Sequence, residues 1–204
     1  MRSADLATLL RVPLLLILVY AIFVRFSAYA VVPLMLLLFA SDAADGYLAS
    51  SGRHSLGDFV SYLLEEGRIV SKRKERGPKD SPAYAANLDL AVDRLIEYAL
   101  WLTFTLLQIL PWFVIAIVFI RNTLADALLL RKGKSYSRLK SAFGRVASSH
   151  FSRGAYAVIK TLNFAYLSLV FVAGWPVMPA YVLTGFTVAF SLVRGAAEIY
   201  EALI

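Results

Sequence analysis

The sequence predicts an all-α polytopic membrane protein: six transmembrane helices with an N-terminal interfacial helix. Three observations carry that expectation. The 204 residues are 59% hydrophobic with a mean hydropathy of +0.67, where a soluble domain is roughly 45–50% apolar. Apolar runs recur at about the ~20-residue length that a bilayer core demands. The net charge of +7 is gathered into two stretches between those runs. The length suits one domain over 1–204. With no cysteine, the chain has neither a disulfide framework nor a thiolate metal site. His54 and His150 are too few for a His-rich one.

The elements follow in order. Residues 1–11 alternate Leu6, Leu9 and Leu10 with Arg2, Asp5 and Arg11, which suits a short interfacial turn before the first span. This segment lacks a small-residue cleavage site after its apolar run and is expected to be retained. Spans are expected at about 9–27, 29–49, 86–109, 111–130, 155–174 and 177–200. The breaks are Arg25-Phe-Ser, Leu110-Pro111 and Gly174-Trp-Pro176. A proline costs little at the opening of a new helix. Between the second and third spans, a basic insertion covers about 50–84. Within it Leu56, Phe59, Val60, Leu63 and Leu64 recur at helical spacing, up to a terminating Gly67. That pattern predicts an amphipathic helix at the interface, followed by the polar run Ser71 to Pro82.

Charge predicts the topology. Seven Lys or Arg lie in 50–85 and seven more in 131–153, while the loops near 110 and 175 have none. By the positive-inside rule, both basic loops and both termini face the cytoplasm. Trp112 and Trp175 then belong to the aromatic belt of the other interface. The basic run at 72–79, beside a membrane helix, suits lipid headgroups better than nucleic acid.

Carboxylates at span ends carry the functional expectation. Asp42 and Asp45 lie three apart at the end of the second span, and Asp89 and Asp93 four apart at the start of the third. Both spacings put the pair on one helical face. An aspartate near a helix end can be a cap and nothing more. Four of them beside one cytoplasmic loop make a hard-oxygen site suited to Mg²⁺ or Mn²⁺. Arg94 and Glu97 are expected to pair with each other or with neighbours, and Arg194 and Glu198 to form an i,i+4 helix pair. Arg121 is expected either to face the same cavity or to snorkel to the interface. Most of the 131–153 cluster reads as a solvated basic face, with Arg153 the candidate for an acceptor phosphate.

The run Asp42-x2-Asp45-Gly46-x2-Ala49, followed by Ala85-x3-Asp89-x3-Asp93, resembles the motif of the CDP-alcohol phosphatidyltransferases, D-x2-D-G-x2-A-R, a gap, then G-x3-D-x3-D. The N-terminal Leu6-Ala-Thr8-Leu-Leu-Arg11-Val-Pro13 is similar to that family as well. The resemblance implies a six-span homodimer in the cytoplasmic membrane with its site on the cytoplasmic side. It implies Asp42, Asp45, Asp89 and Asp93 as ligands of two Mg²⁺ or Mn²⁺ ions, and Asp93 as the base for the incoming hydroxyl. Gly46, Ala49 and Ala85 would be the small residues against which the nucleotide lies. The reaction implied is transfer of a phosphatidyl-type group from a CDP-activated lipid to a small alcohol, with release of CMP.

The chain departs from the motif at three points. Ser50 stands for its arginine, Ala85 for its second glycine, and the gap is about 26 residues longer than usual. A rival alignment through Gly57, Ser61 and Glu65 keeps fewer carboxylates and sets them away from a span start. The acceptor could be glycerol phosphate, inositol phosphate, serine or another polyol, and the lipid diacylglycerol-based or archaeol-based. A soluble CDP-alcohol with a lipid acceptor fits the same motif. A family member that has lost catalysis and binds lipid or nucleotide remains an alternative, as does a cation carrier. A carrier would place its acids nearer mid-membrane.

Overall fold

The computed structural model describes residues 3–50, 83–131 and 150–203. Within these stretches, the side chains of 3–7, 42–50, 83–87, 89, 129–131, 150, 151, 153, 201 and 202 fall outside the description. The described residues form six helices and no strand: α1 Ser3–Phe23, α2 Ala28–Ser50, α3 Ala83–Leu106, α4 Trp112–Arg131, α5 His150–Ala173 and α6 Val177–Leu203. Each coincides with one expected apolar run. The amphipathic helix expected within the insertion and the basic cluster at 132–149 lie outside the described residues.

The separate N-terminal interfacial helix is corrected. Residues 3–23 are one helix with Pro13 inside it. The expected polarity of its opening turns is reversed: Thr8 and Arg11 are buried, whereas Leu9 and Leu10 are exposed. Arg11 has a carboxylate to meet inside the bundle, and this draws its face of the helix inward.

Three short connections close the α1–α2, α3–α4 and α5–α6 hairpins, and each opens on a residue in the left-handed region: Arg25 (φ 50°), Gln108 (φ 58°) and Gly174 (φ 69°). After α1, the Phe26 amide donates to the Ala21 carbonyl at 2.9 Å and the Arg25 amide to Ile22 at 2.9 Å. After α3, the Ile109 amide donates to Phe104 at 3.1 Å and the Gln108 amide to Thr105 at 3.0 Å. These bonds satisfy carbonyls that a helix end leaves open. Only the third cap uses the glycine that the geometry favours. Arg25 is held there in part by Phe171, with its guanidinium 4.5 Å from the ring centroid.

Side-chain contacts fix how the helices run. α2 meets α5 through Phe39 and Phe164 at one level and Arg25 and Phe171 at another, so the two are antiparallel. α5 meets α3 through Lys160 with Glu97 and Phe164 with Trp101 and Phe104, so these are parallel. α4 runs against α3, with Phe119 beside Tyr98 and Asp126 beside Arg94. α6 runs against α5, with Thr184 beside Asn163 and Phe190 beside Tyr156. α1 packs on both α2 and α3, and α6 packs on α4. The C-terminal end of α2, the N-terminal end of α3 and the C-terminal end of α4 therefore share one end of the bundle.

The core is centred on Phe164, fully buried, with Trp101 at 4.8 Å edge-on and Phe39 and Phe104 stacked at 6.0 and 6.1 Å. The outer surface is largely apolar: Leu16, Tyr20, Leu106, Trp112, Met178 and Phe186 are each more than 60% exposed. Among the described residues Arg11, Glu97, Arg121 and Glu198 are buried. That inversion suits a bundle whose surroundings are hydrocarbon. Gly154–Ala173 and Val177–Tyr200 are long and apolar enough to cross a membrane, and Thr8–Phe23 and Ala28–Ser41 are shorter apolar helices.

Candidate functional site

Two groups of polar residues occupy the end of the bundle where α2 finishes and α3 begins. The first is the aspartate end. Positions 42 and 45 lie in the last turns of α2, positions 89 and 93 in the first turns of α3. Of the expected site residues, only Asp93 has a described side chain. Those of Asp42, Asp45, Gly46, Ala49, Ala85 and Asp89 lie outside the description. Asp93 does not stand alone: Nη2 of Arg11 donates to its Oδ1 at 2.7 Å. Arg11 is 3% exposed and Asp93 40% exposed. The pair ties α1 to α3 and leaves the carboxylate accessible from the bundle end.

The second group is an ionic layer that begins at Arg94, next to Asp93 on α3, and is built from α3, α4, α5 and α6. Arg94 on α3 forms a two-pronged pair with Asp126 on α4, Nε to Oδ2 at 2.7 Å and Nη2 to Oδ1 at 2.9 Å. This fork geometry is the strong form of an arginine–carboxylate contact. Arg94 also reaches Glu97 at 3.5 Å. Glu97, 2% exposed, accepts from the Tyr156 hydroxyl at 3.1 Å and lies 3.7 Å from the Lys160 ammonium. Lys160 sits over the Phe39 and Tyr156 rings at 5.6 and 5.4 Å, and the Arg194 guanidinium lies 4.9 Å from the Tyr156 centroid.

On the α4–α6 side, Nη2 of Arg121 donates to Glu198 Oε1 at 3.0 Å, with both side chains under 10% exposed. Gly195 makes that approach possible. A methyl on its α-carbon would stand 2.7 Å from Arg121 Cγ.

The layer decides several expectations. Arg94 and Glu97 do pair, as their spacing suggested. Arg121 neither snorkels outward nor faces an open cavity, because Glu198 takes it into the bundle. Glu198 is thus reached across the bundle from α4, while the Arg194 guanidinium also lies over the Tyr156 ring. The signal available in the sequence was the presence of ionisable residues within apolar spans on α3 to α6, a pattern that calls for mutual pairing. Arg153 lies outside the description, as do Lys134, Arg138, Lys140 and Arg145.

Among the described residues, no three potential metal ligands of the His, Cys, Asp or Glu type come together. The interior acids Glu97, Asp126 and Glu198 each face a cation, which spends their charge on protein partners. Asp93 also faces a cation, Arg11, and differs from them in that its carboxylate is open to the bundle end.

At the opposite end of the bundle, an apolar groove of about 890 Å³ is bordered by Gln108, Pro111, Trp112, Tyr181, Gly185 and Leu192. Its nearest α3 residue, Thr105, is twelve positions from Asp93, about 18 Å along the helix. The groove takes no part in the aspartate end.

No model of a known protein family matches the chain, and no curated protein matches it either.

Proposed function

We propose that this protein is a metal-dependent transferase of the CDP-alcohol phosphatidyltransferase type. It moves a phosphatidyl-type group from a CDP-activated lipid to a small alcohol and releases CMP. The single observation that carries the reading is that positions 42 and 45 lie in the last turns of α2 and positions 89 and 93 in the early turns of α3, at the same end of the bundle. Carboxylate oxygens are the ligands Mg²⁺ and Mn²⁺ prefer. Asp42, Asp45, Asp89 and Asp93 would hold two such ions, which supply charge neutralisation for the pyrophosphate of the donor. Gly46, Ala49 and Ala85 are small and leave the nucleotide room to approach the helix backbone. By the motif resemblance, Asp93 is also the base that takes the proton of the incoming hydroxyl. The many basic residues beside this end favour a phosphorylated acceptor.

The setting proposed is the cytoplasmic membrane, with six spans, both basic loops and the aspartate end in the cytoplasm, and two copies of the chain in the working unit. The inverted distribution of charge and the belt of exposed Leu, Phe and Trp support insertion in a bilayer. Membrane lipids, the CDP-lipid and the acceptor are the partners. Nucleic acid is not among them.

A second reading has one observation in its favour. Asp93 already serves as the counter-ion of a buried arginine, and Ser50 replaces the motif arginine. A catalytically silent protein that binds lipid or nucleotide would keep that pair for stability alone. The test is CMP release by the purified protein with Mn²⁺, CDP-diacylglycerol or CDP-archaeol, and a panel of alcohols and phosphorylated alcohols. Acceptor-dependent CMP release carries the transferase reading and names the acceptor. Binding of CDP-lipid and Mn²⁺ with no release under any acceptor sinks it in favour of the silent one.

A further inference from the structure

We propose that Arg11 is the resident counter-cation of the aspartate end: it positions Asp93 and competes with the divalent ion for that carboxylate. This rests on the metal-site reading given above and deepens it. The geometry has three parts. Arg11 projects from α1, a helix that contributes none of the four aspartates, and reaches Asp93 at 2.7 Å through one terminal nitrogen. Its side chain is 3% exposed, so its charge is fixed in place, while the carboxylate it holds is 40% exposed. α1 packs against both α2 and α3, so the guanidinium lies on a helix that borders both aspartate-bearing helices.

A fixed positive charge beside a carboxylate has two effects on a metal site. It offsets the repulsion that clustered aspartates exert on one another, which lets the end of the bundle fold without metal. It also repels an arriving cation and occupies an oxygen that the cation needs. Metal loading therefore transfers Asp93 from Arg11 to the ion and loosens the tie between α1 and α3. Arg11 is a positioning residue, since it acts through Asp93. A merely structural Arg11 makes the opposite prediction. Its loss would disorder the end of α3 and weaken metal binding.

The experiment measures Mn²⁺ binding to the purified full chain by electron paramagnetic resonance, with circular dichroism as the check on folding. Arg11→Gln is expected to bind Mn²⁺ at least about tenfold more tightly than the unchanged protein. Arg11→Lys keeps the charge but not the reach, and roughly threefold tighter binding is expected. Asp93→Asn is expected to weaken binding by about tenfold. If Arg11→Gln fails to fold, Arg11→Lys decides the question. Unchanged or weaker Mn²⁺ binding in a folded Arg11 variant overturns the inference and leaves the metal site standing. No Mn²⁺ binding by the unchanged protein overturns both.

Discussion

Arg11 and Arg121 are both arginines buried in the same helical bundle, each reaching one carboxylate on another helix, and they differ in the acid they meet. Glu198, the partner of Arg121, is as buried as the arginine, and Gly195 is the residue that lets the two close up. Asp93, the partner of Arg11, is open to the bundle end. The first pair belongs to a layer in which Arg94, Arg121, Lys160 and Arg194 are interleaved with Glu97, Asp126 and Glu198, acid against base across four helices. A buried charge is costly unless it is matched, and here each acid has a base beside it, with four bases to three acids. The layer holds helices in register and leaves its acids little charge to offer a cation. The second pair sits at the bundle end where α2 carries positions 42 and 45 and α3 position 89, and its acid is accessible. The difference separates acids enclosed with their bases from an acid left open to the bundle end, and under the proposed function it divides acids that serve the fold from acids that serve chemistry. Exposure of the acid, not distance between the partners, makes that division.

The sharpest way to break this comparison is at Glu97, which faces Arg94, Lys160 and Tyr156 together. Glu97→Leu strands cations in the interior and is expected to cost about 3–5 kcal/mol, read as a lowered midpoint of thermal unfolding in detergent. Little change there would mean that the layer is not matched as described. Gly195→Ala comes next. The added methyl pushes Arg121 away from Glu198 and is expected to cost about 1–3 kcal/mol. The same substitution at Gly185, where an added methyl would meet nothing within 4 Å, is expected to change stability by under about 0.5 kcal/mol.

Thr184→Val removes the 3.0 Å hydroxyl donation to Asn163 and is expected to cost about 1 kcal/mol. One further effect has the opposite sign. Gln108→Gly relieves a side chain in the left-handed region and is expected to raise stability by roughly 1 kcal/mol or less. Arg25→Gly, at the matching cap, should gain less because it forfeits the contact with Phe171.

The fold was legible in the sequence wherever the signal was local. Each apolar run became one helix, and Pro111 and Pro176 marked the second and third hairpins. Gly174 announced its own cap, whereas Arg25 and Gln108 take the left-handed conformation without the glycine that would have marked them. The interior charges were legible one at a time but not as a layer. Arg121 finds its acid 77 positions away and Arg94 finds Asp126 32 positions away, and spacing within one helix carries no record of either. Arg11 misled for the same reason: a basic residue among leucines at the chain start reads as interfacial until Asp93 is brought beside it. The four aspartates were legible as a pattern because two spacings, three and four, each align them on one face. The shared end of α2 and α3 is the tertiary fact that spacing could only anticipate.

The most direct test sets one acid from each region side by side. CMP release and thermal unfolding are measured for Asp42→Asn and for Asp126→Asn, at a temperature where both remain folded. Asp42→Asn is expected to abolish Mn²⁺-dependent CMP release with its unfolding midpoint nearly unchanged, while Asp126→Asn unfolds earlier but still releases CMP. The reverse, with release surviving in Asp42→Asn and lost in a fully folded Asp126→Asn, would contradict the division between the two regions and move the chemistry into the buried layer.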